Sequence, residues 1–498
     1  MKEIWQSTHR KFFLLGLLCI VVASWCSIGY HQMDEHYMIL EYANYKFGLV
    51  PTRVYPWEFL QKIRPALQPT IVYFFLQFLK SIGLQDAFVQ VFLLRLLAGV
   101  LAWFVYTKAA LRLSLNLVDI KIKSWWLIGI ATFWFIPYLN VRFSSENFAG
   151  ISFVAALLFL PDVFKRGTIK ASAMQYVLAG FCLASAFYFR FQIAFAVLGL
   201  LLWLLLYARP LWKVYLFLFL GALVAITLNV LVDHWFYGEW VLSPFRYYEA
   251  NIVQNVASAY GVMPWYEYFV LFATQAVPPI SWGLLVLFFI GLFKRPFQLM
   301  VFVFIPFLLG HMLVPHKEFR FLYPMLIPFL FICFTGLDAI WGDINNKKWI
   351  YPLLKCLFIL NLCLLAYRMV WPASNAHRYY RFLYQYAKVH PPIHLLTLGT
   401  GLYDDGNNEI YIYRPKGFVE DTLALSDYPG YMAAQNADSL LVLSYQMTLP
   451  YHDTRYNEER LYVSLPNWIV GIQLNNWQSR SDIWSIWRLR KKKPYDSN

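Results

Sequence analysis

The chain has 498 residues, of which 59% are hydrophobic and 20% aromatic, while 14% are charged. Soluble domains carry about 25% charged residues, so this composition excludes an ordinary soluble protein and indicates a polytopic membrane protein. The net charge is +14, but residues 372–498 hold 13 Lys and Arg against 12 Asp and Glu. The excess therefore lies in the apolar part, where cations set membrane topology, and we expect membrane lipid but no nucleic acid as a partner.

The N-terminus begins the first of a series of predicted crossings. Lys2, Arg10 and Lys11 precede an apolar run from Phe12 to Ile28. Its length and its lack of a small-residue cleavage site favour a retained transmembrane helix over a signal peptide. Helix length and the cytoplasmic preference of Lys and Arg predict about eleven crossings. They cover roughly residues 12–30, 87–107, 125–141, 147–163, 174–189, 192–207, 214–234, 268–293, 297–314, 321–341 and 349–371.

Residues 66–83 are predicted to form a helix in the outer interface rather than a crossing. If they crossed, every later loop would invert, and Lys165–Arg166, Lys294–Arg295 and Lys347–Lys348 would leave the cytoplasm. The charge rule disfavours that arrangement. An odd number of crossings that starts in the cytoplasm then places the C-terminal region outside.

The C-terminal region, residues 372–498, is predicted to be an external α/β domain that follows a membrane body at 1–371 with a long first external loop at 31–86. A helical stretch at Arg378–Val389 precedes four β-rich segments, at Ile393–Leu398, Glu409–Tyr413, Leu440–Ser444 and Ser485–Leu489. This region has no obvious catalytic cluster, and we expect it to assist recognition. All six cysteines lie in apolar segments, which favours small hydrophobes over disulfides or a zinc site.

Two groups of charged residues stand beside predicted crossings. His316, Lys317, Glu318 and Arg320 lie between two long apolar runs, where charge is costly and indicates function. A lysine, an arginine fork and a histidine donor suit a phosphate. Asp34 and Glu35 follow the first crossing; a carboxylate at this rim is a candidate general base, and a solvated helix start is the alternative.

Three arginines end near the predicted external side: Arg64, Arg142 and Arg190. Each is a candidate to pair with a phosphate or with Asp34, and structural pairing is the alternative for each. Asp233 and His234 close a predicted helix at the outer face, but they lack a third ligand at convincing spacing, so we expect no metal.

The segment His316-Lys317-Glu318-Phe319-Arg320-Phe321-Leu322-Tyr323-Pro324 resembles the HKExRFLxP signature of glycosyltransferase family 22, the polyprenyl- or dolichyl-phosphate-mannose-dependent α-mannosyltransferases of the GPI-anchor and N-glycan pathways. Other elements resemble that family in the same order, across roughly residues 10–371. They are Asp34-Glu35, Tyr42–Gly48, Trp57-Glu58 with Arg64, Asp233–Trp240 and Pro264-Trp265-Tyr266. Where the family has an R-T-L-S-N-like segment, this chain has Arg142-Phe143-Ser144-Ser145-Glu146-Asn147.

The resemblance implies an α-helical membrane enzyme of the GT-C type that needs no cofactor. It would transfer a sugar, most often mannose, with inversion from a polyprenyl-phosphate-linked donor to a glycan or glycolipid acceptor outside the cytoplasm. Asp34 would accept the proton of the acceptor hydroxyl, with Glu35 sharing that role or orienting the acceptor. His316, Lys317 and Arg320 would neutralise the departing lipid phosphate.

Two alternatives remain from the sequence. A related enzyme would transfer another sugar, such as an aminoarabinose-like unit, or would use a protein acceptor. A polysaccharide transporter would show inverted repeats and paired broken helices, which the sequence does not reveal. The chain has no N-x-S/T sequon, which favours a bacterial inner-membrane protein over one of the endoplasmic reticulum.

Overall fold

The computed structural model describes residues 2–50, 55–160, 172–374, 376–399, 404–405, 408–409, 411–465, 467–472, 477 and 483–492. The predicted cytoplasmic pair Lys165–Arg166 lies outside these residues. A helical body is followed by a small sheet region. The first nine helices are α1 (Lys2–Cys26), α2 (Met33–Glu35), α3 (Glu41–Lys46), α4 (Trp57–Leu60), α5 (Leu67–Ser81), α6 (Ala87–Leu113), α7 (Ile120–Thr132), α8 (Ile136–Asn140) and α9 (Ser145–Leu158).

The second half of the helical body begins after residue 172. Its helices are α10 (Ala173–Phe189), α11 (Ile193–Trp203), α12 (Trp212–Tyr237), α13 (Ser243–Tyr248), α14 (Glu267–Gln275), α15 (Ile280–Lys294), α16 (Leu299–Leu313), α17 (Leu326–Ile344) and α18 (Ile350–Val370). Short 3₁₀ or π-helical turns lie at His36–Leu40, Ser114–Asn116, Leu204–Ala208, Glu249–Val253, Val256–Tyr260 and Phe319–Met325.

The apolar helices make the chain an integral membrane protein. Among the described residues, four spans are long and apolar enough to cross a bilayer, and α15 with α16 gives a fifth if this pair, bent by 117°, counts as one. The four are Ala87–Asn116, Trp212–Tyr237, Phe319–Ile344 and Ile350–Val370. Other predicted crossings coincide with shorter apolar helices, such as α9, α10 and α11. The eleven crossings therefore stay a prediction.

Two predicted crossings are wrong as single helices. The segment 125–141 breaks between α7 and α8 at Phe133–Phe135. There the side chain of Asn361 on α18 accepts a bond from the N–H of Trp134 at 3.0 Å and donates to the carbonyl of Thr132 at 2.8 Å. The segment 268–293 breaks between α14 and α15, where Pro278 and Pro279 cannot donate helical hydrogen bonds. Paired backbone groups make such breaks tolerable at membrane depth.

Helix α9 lies very close to the turn Phe319–Met325, which carries Arg320. A Cβ added to Gly150 would come within 3.0 Å of the Cα and carbonyl oxygen of Pro324. Small residues allow such backbone approach between membrane helices. This contact sets the distance between Glu146 on α9 and Arg320.

The C-terminal region forms a mixed five-stranded sheet in the order β4-β1-β5-β7-β6. Strand β1 is parallel to β4 and β5, whereas β7 is antiparallel to β5 and β6. The strands are β1 (Ile393–Leu398), β2 (Asp404–Asp405), β3 (Asn408–Glu409), β4 (Phe418–Leu423), β5 (Ser439–Ser444), β6 (Tyr456–Val463) and β7 (Ser485–Lys491). Helices α19 (Ala376–Val389), α20 (Tyr428–Ala434) and α21 (Asn467–Val470) accompany them.

The α/β character and the strands near Ile393, Leu440 and Ser485 agree with the prediction. The strand predicted at Glu409–Tyr413 is wrong for its last three residues, since Tyr411–Tyr413 form a turn-like segment outside any strand. One face of the sheet shares a core with the first loop, because Leu395 of β1 and Leu443 of β5 cluster with Tyr37 and Val72. The sheet region thus packs directly on the loop that carries Asp34.

Candidate active site

Asp34 and Glu35 sit at the start of a helical segment that runs from Met33 to Lys46 through α2, the π-helical turn His36–Leu40 and α3. Such π turns inside helices are frequent at functional sites. The two neighbouring carboxylates line different pockets. Asp34 lines a small pocket with Arg64 and Arg190. Glu35 lines an interior pocket on the other side.

Asp34 is held by two arginines from distant parts of the chain. Its Oδ2 lies 3.0 Å from Nη1 of Arg320 and 3.5 Å from Nη2 of Arg64. Glu58 fixes Arg64 with two bonds, of 2.7 and 3.0 Å. Burial would raise the pKa of Asp34, but the guanidiniums of Arg320 and Arg64 outweigh it and lower the pKa from 3.8 to about 2. The carboxylate is therefore ionised at neutral pH.

Arg320 is the centre of this charge cluster. Glu318 accepts bonds from its Nε at 2.7 Å and its Nη2 at 2.9 Å. Glu146 lies 3.8 Å from Arg320 and 3.3 Å from Arg190. Arg190 packs over the ring of Phe321 at 4.5 Å, and its buried Nε has no hydrogen-bond partner among the described residues. Buried donors of this kind call for a ligand or water.

Glu35 and Arg142 form a separate pair in the interior, 3.8 Å apart. Arg142 is 2% exposed and donates to the carbonyls of Ser27 at 2.8 Å and Gly29 at 3.1 Å. Burial raises the pKa of Glu35 to about 7, against the opposing charge of Arg142. The structure does not bring Glu35 and Arg142 into the Asp34 cluster.

His316 and Lys317 support the loop that precedes Arg320. Nε2 of His316 lies 3.1 Å from Oε1 of Glu318. Nζ of Lys317 donates to the carbonyls of Val314 at 2.6 Å and Met263 at 3.1 Å, and burial lowers the pKa of this amine. These contacts tie the loop together. The phosphate role predicted for both residues stays a prediction.

An apolar cavity of about 330 Å³ lies on the other side of the turn Phe319–Met325. Phenylalanines dominate its lining, among them Phe135, Phe272, Phe288, Phe304, Phe319 and Phe329. Polar side chains also line it, among them His31, Tyr138, Tyr323 and Arg368. A cavity of this composition suits a hydrocarbon chain with a polar head.

His31 joins the phenols of the cavity. Its Nδ1 lies 2.9 Å from the hydroxyl of Tyr138, and its Nε2 lies 3.0 Å from the hydroxyl of Tyr323. Burial and the charge of Arg142 lower the pKa of His31 to about 4, so the imidazole is neutral at pH 7. Arg368 lies 3.8 Å over the ring of Tyr138. No carboxylate among the described residues lies within 4.0 Å of its guanidinium.

Comparison with known proteins decides the family. A family model for Alg9-like mannosyltransferases matches residues 12–390. The chain belongs to the Alg9-like mannosyltransferase family. It is 26% identical over 347 residues to bovine GPI alpha-1,2-mannosyltransferase 3, which covers 67% of this chain and 59% of the relative. It is 26% identical over 323 residues to GPI mannosyltransferase 3 of Candida albicans, 63% of this chain and 61% of the relative.

The human GPI alpha-1,2-mannosyltransferase 3 is 25% identical over 347 residues, which cover 67% of this chain and 57% of that protein. The chain thus spans less than two thirds of the length of these relatives. The match of the Alg9-like family ends within the C-terminal region, at residue 390. Sequence reasoning gave no role to Glu146, His31 and Arg368, which the structure places beside the predicted site. The only available signal was the position of Arg368 near the outer end of the last predicted crossing.

Proposed function

We propose that this member of the Alg9-like family transfers mannose from a polyprenyl-phosphate carrier to a hydroxyl of a glycan or glycolipid, on the non-cytoplasmic face of the membrane. The observation that carries the proposal is the Asp34–Arg320 pair, 3.0 Å apart. The turn that holds Arg320 also lines the apolar cavity through Phe319 and Tyr323. A base, a cation and a site for a lipid tail therefore meet at one turn.

The reaction is a single displacement at the anomeric carbon. The acceptor oxygen attacks this carbon as Asp34 takes the proton of the acceptor hydroxyl. The bond between the anomeric carbon and the phosphate oxygen breaks, and its electron pair leaves with polyprenyl phosphate. The product carries the opposite anomeric configuration. A phosphate monoester is a good leaving group, so the step needs no general acid.

Arg320 has two roles in this scheme. In the free protein it holds the pKa of Asp34 near 2, where a carboxylate is a weak base. A bound donor phosphate would share the charge of Arg320 and so raise the basicity of Asp34. The same cation would then stabilise the negative charge that grows on the leaving phosphate. Donor binding thus prepares the base.

The polyprenyl tail would occupy the apolar cavity, with its phosphate between Arg320 and the polar group His31, Tyr138, Tyr323 and Arg368. Arg368 suits this position because it lines the cavity and lacks a carboxylate partner among the described residues. We assign the support of the Arg320 loop to His316 and Lys317, whose hydrogen bonds reach Glu318, Val314 and Met263. Arg64 and Arg190 frame the pocket for sugar and acceptor.

Donor choice tests the proposal. The purified protein, reconstituted in lipid, is offered labelled polyprenyl-phosphate-mannose or nucleotide-mannose, together with extracted envelope or microsomal glycolipids as acceptors. We expect consumption of the lipid-linked donor alone. Consumption of the nucleotide sugar alone would refute this assignment.

A further inference from the structure

We propose that the C-terminal region holds the helical segment Met33–Lys46, called the Asp34 helix below, in its catalytic position through Glu41. Glu41 is then a positioning residue. The sheet region lies almost wholly beyond the residues matched by the family, which end at 390. Glu41 lies in α3, on the same helical segment as Asp34, and its side chain is fully buried. The expected effect of Glu41 on kcat rests on the proposed function, whereas the contact between Glu41 and the C-terminal region does not.

The carboxylate of Glu41 joins two separate parts of the chain. Its Oε1 accepts bonds from the backbone N–H groups of Tyr411 at 3.0 Å and Ile412 at 3.1 Å. The same oxygen lies 2.9 Å from Nε2 of His36, and Oε2 accepts a bond from Asn44 at 2.9 Å. Two of these partners belong to the C-terminal region and two to the Asp34 helix.

This arrangement needs a carboxylate-sized acceptor. Partly buried backbone N–H groups need an acceptor, and those of Tyr411 and Ile412, which lie outside any strand, use Oε1 of Glu41. A carboxylate has about four acceptor sites, enough for all the donors around Glu41. Its removal would leave two backbone N–H groups without their acceptor, at the point where the two regions meet.

Aromatic packing reinforces the same junction. The ring of Tyr413 stacks on Phe88 of α6 at 4.4 Å and on His36 at 5.7 Å. Tyr413 is 2% exposed and belongs to a core that also contains Tyr37 and Leu40 of the Asp34 helix. Any shift of the segment Tyr411–Tyr413 therefore displaces the helix that starts at Met33.

The effect on chemistry follows from geometry. Asp34 must face both Arg320 and the acceptor hydroxyl, and a displacement of about 1 Å can lower a rate about 100-fold. A looser helix would reduce kcat. Donor affinity would change little, because the proposed lipid cavity is built from other elements.

The test compares Glu41→Ala, Glu41→Gln and Asn44→Ala by steady-state kinetics and by hydrogen exchange. We expect Glu41→Ala to lower kcat about 10- to 100-fold with an unchanged KM for polyprenyl-phosphate-mannose. The amides of residues 33–40 and 411–413 should lose protection together, while β5 stays protected. Glu41→Gln should keep most of the wild-type kcat, since the glutamine amide oxygen can still accept from the N–H groups of Tyr411 and Ile412. Asn44→Ala, which spares the C-terminal contacts, is the matched control with near-normal kcat.

The proposal is overturned if Glu41→Ala keeps its kcat, if only one of the two segments loses protection, or if β5 opens to the same extent. Equal losses of kcat in Asn44→Ala and Glu41→Ala would also overturn it. A wild-type protein that transfers no sugar would instead refute the proposed function. The exchange measurement would still decide whether Glu41 couples the two regions.

Discussion

Replacement of Asp34 by asparagine removes the proposed base and keeps the size of the side chain. Both of its arginine partners retain other carboxylates, since Arg64 keeps Glu58 at 2.7 Å and Arg320 keeps Glu318 at 2.7 Å. The loss of folding stability should therefore stay at about 1.5–3 kcal/mol, the value of one hydrogen bond to a charged group. The variant should fold and bind the donor.

The expected loss is in the chemical step. A positioned general base contributes about 10²- to 10⁴-fold to a rate, so kcat of Asp34→Asn should fall by about that factor while the KM for polyprenyl-phosphate-mannose changes little. Single-turnover transfer of labelled mannose in nanodiscs measures this rate directly. Thermal unfolding and donor binding by the same samples show that the protein is intact.

The neighbouring carboxylate provides the matched control. Glu35→Gln changes a group that faces Arg142 in the interior pocket and not the Asp34 cluster. We expect its kcat to fall much less than that of Asp34→Asn. The assignment of Asp34 as the general base is refuted if Asp34→Asn turns over at the wild-type rate, or if Glu35→Gln alone abolishes transfer.

Four further predictions follow from the same contacts. Burial raises the pKa of Glu35 to about 7 in the folded protein, so the free energy of unfolding should be highest below about pH 4.5 and should fall by about 3 kcal/mol as the pH rises to about 7. The matching fall in Tm should be smaller in Glu35→Gln, and an identical pH profile of Tm in the two proteins would contradict this prediction. Arg368→Gln should raise the KM for polyprenyl-phosphate-mannose about 10- to 100-fold through loss of a charged hydrogen bond, and an unchanged KM would remove it from the phosphate site. Leu364→Trp narrows the cavity and should weaken long-chain donors more than short-chain ones, whereas the exposed Leu362→Trp should weaken neither; equal effects would argue against the cavity. Lys317→Met should lower stability by about 2 kcal/mol, since it frees two carbonyls, and a strong loss of donor affinity at normal Tm would instead restore its predicted phosphate role.

The sequence revealed the central strands of the C-terminal sheet and missed its edges. β1 and β5 are apolar runs and β7 begins with one; all three lie in the middle of the sheet and were predicted. β4 (FVEDTL) and β6 (YNEERLYV) are the two edge strands, and both were missed. Edge strands carry charged side chains that discourage pairing with other chains, and the same charges hide the strand pattern from sequence analysis.

The helical body shows a similar limit. Hydrophobic runs located most helices, because length and apolarity are local properties. The breaks at Phe133–Phe135 and Ala276–Pro279 were not predicted, since they depend on partners such as Asn361, which lies on another helix. Prolines in apolar runs signal a possible break without showing that the freed backbone groups find partners.

At the candidate site, residue types alone identified the charged residues that come together. The sequence did not show which arginine pairs with which carboxylate. Asp34, Arg64 and Arg320 were all named, and the structure brings them together. The neighbours Asp34 and Glu35 were treated as one acidic pair, but the helical turn directs them into different pockets. Which arginine meets which carboxylate depends on contacts between distant segments, and these are fixed only by the fold.

The most direct test of the proposed inverting transfer is the anomeric configuration of the product of one reaction. Wild-type protein in lipid is given polyprenyl-phosphate-mannose labelled with ¹³C at the anomeric carbon, together with a glycolipid acceptor. NMR then follows the labelled carbon in the donor and in the product. We expect the label to leave the lipid phosphate and to appear in a mannoside of the opposite configuration. A mannoside of retained configuration, or no transfer by folded protein that binds the donor, would contradict it.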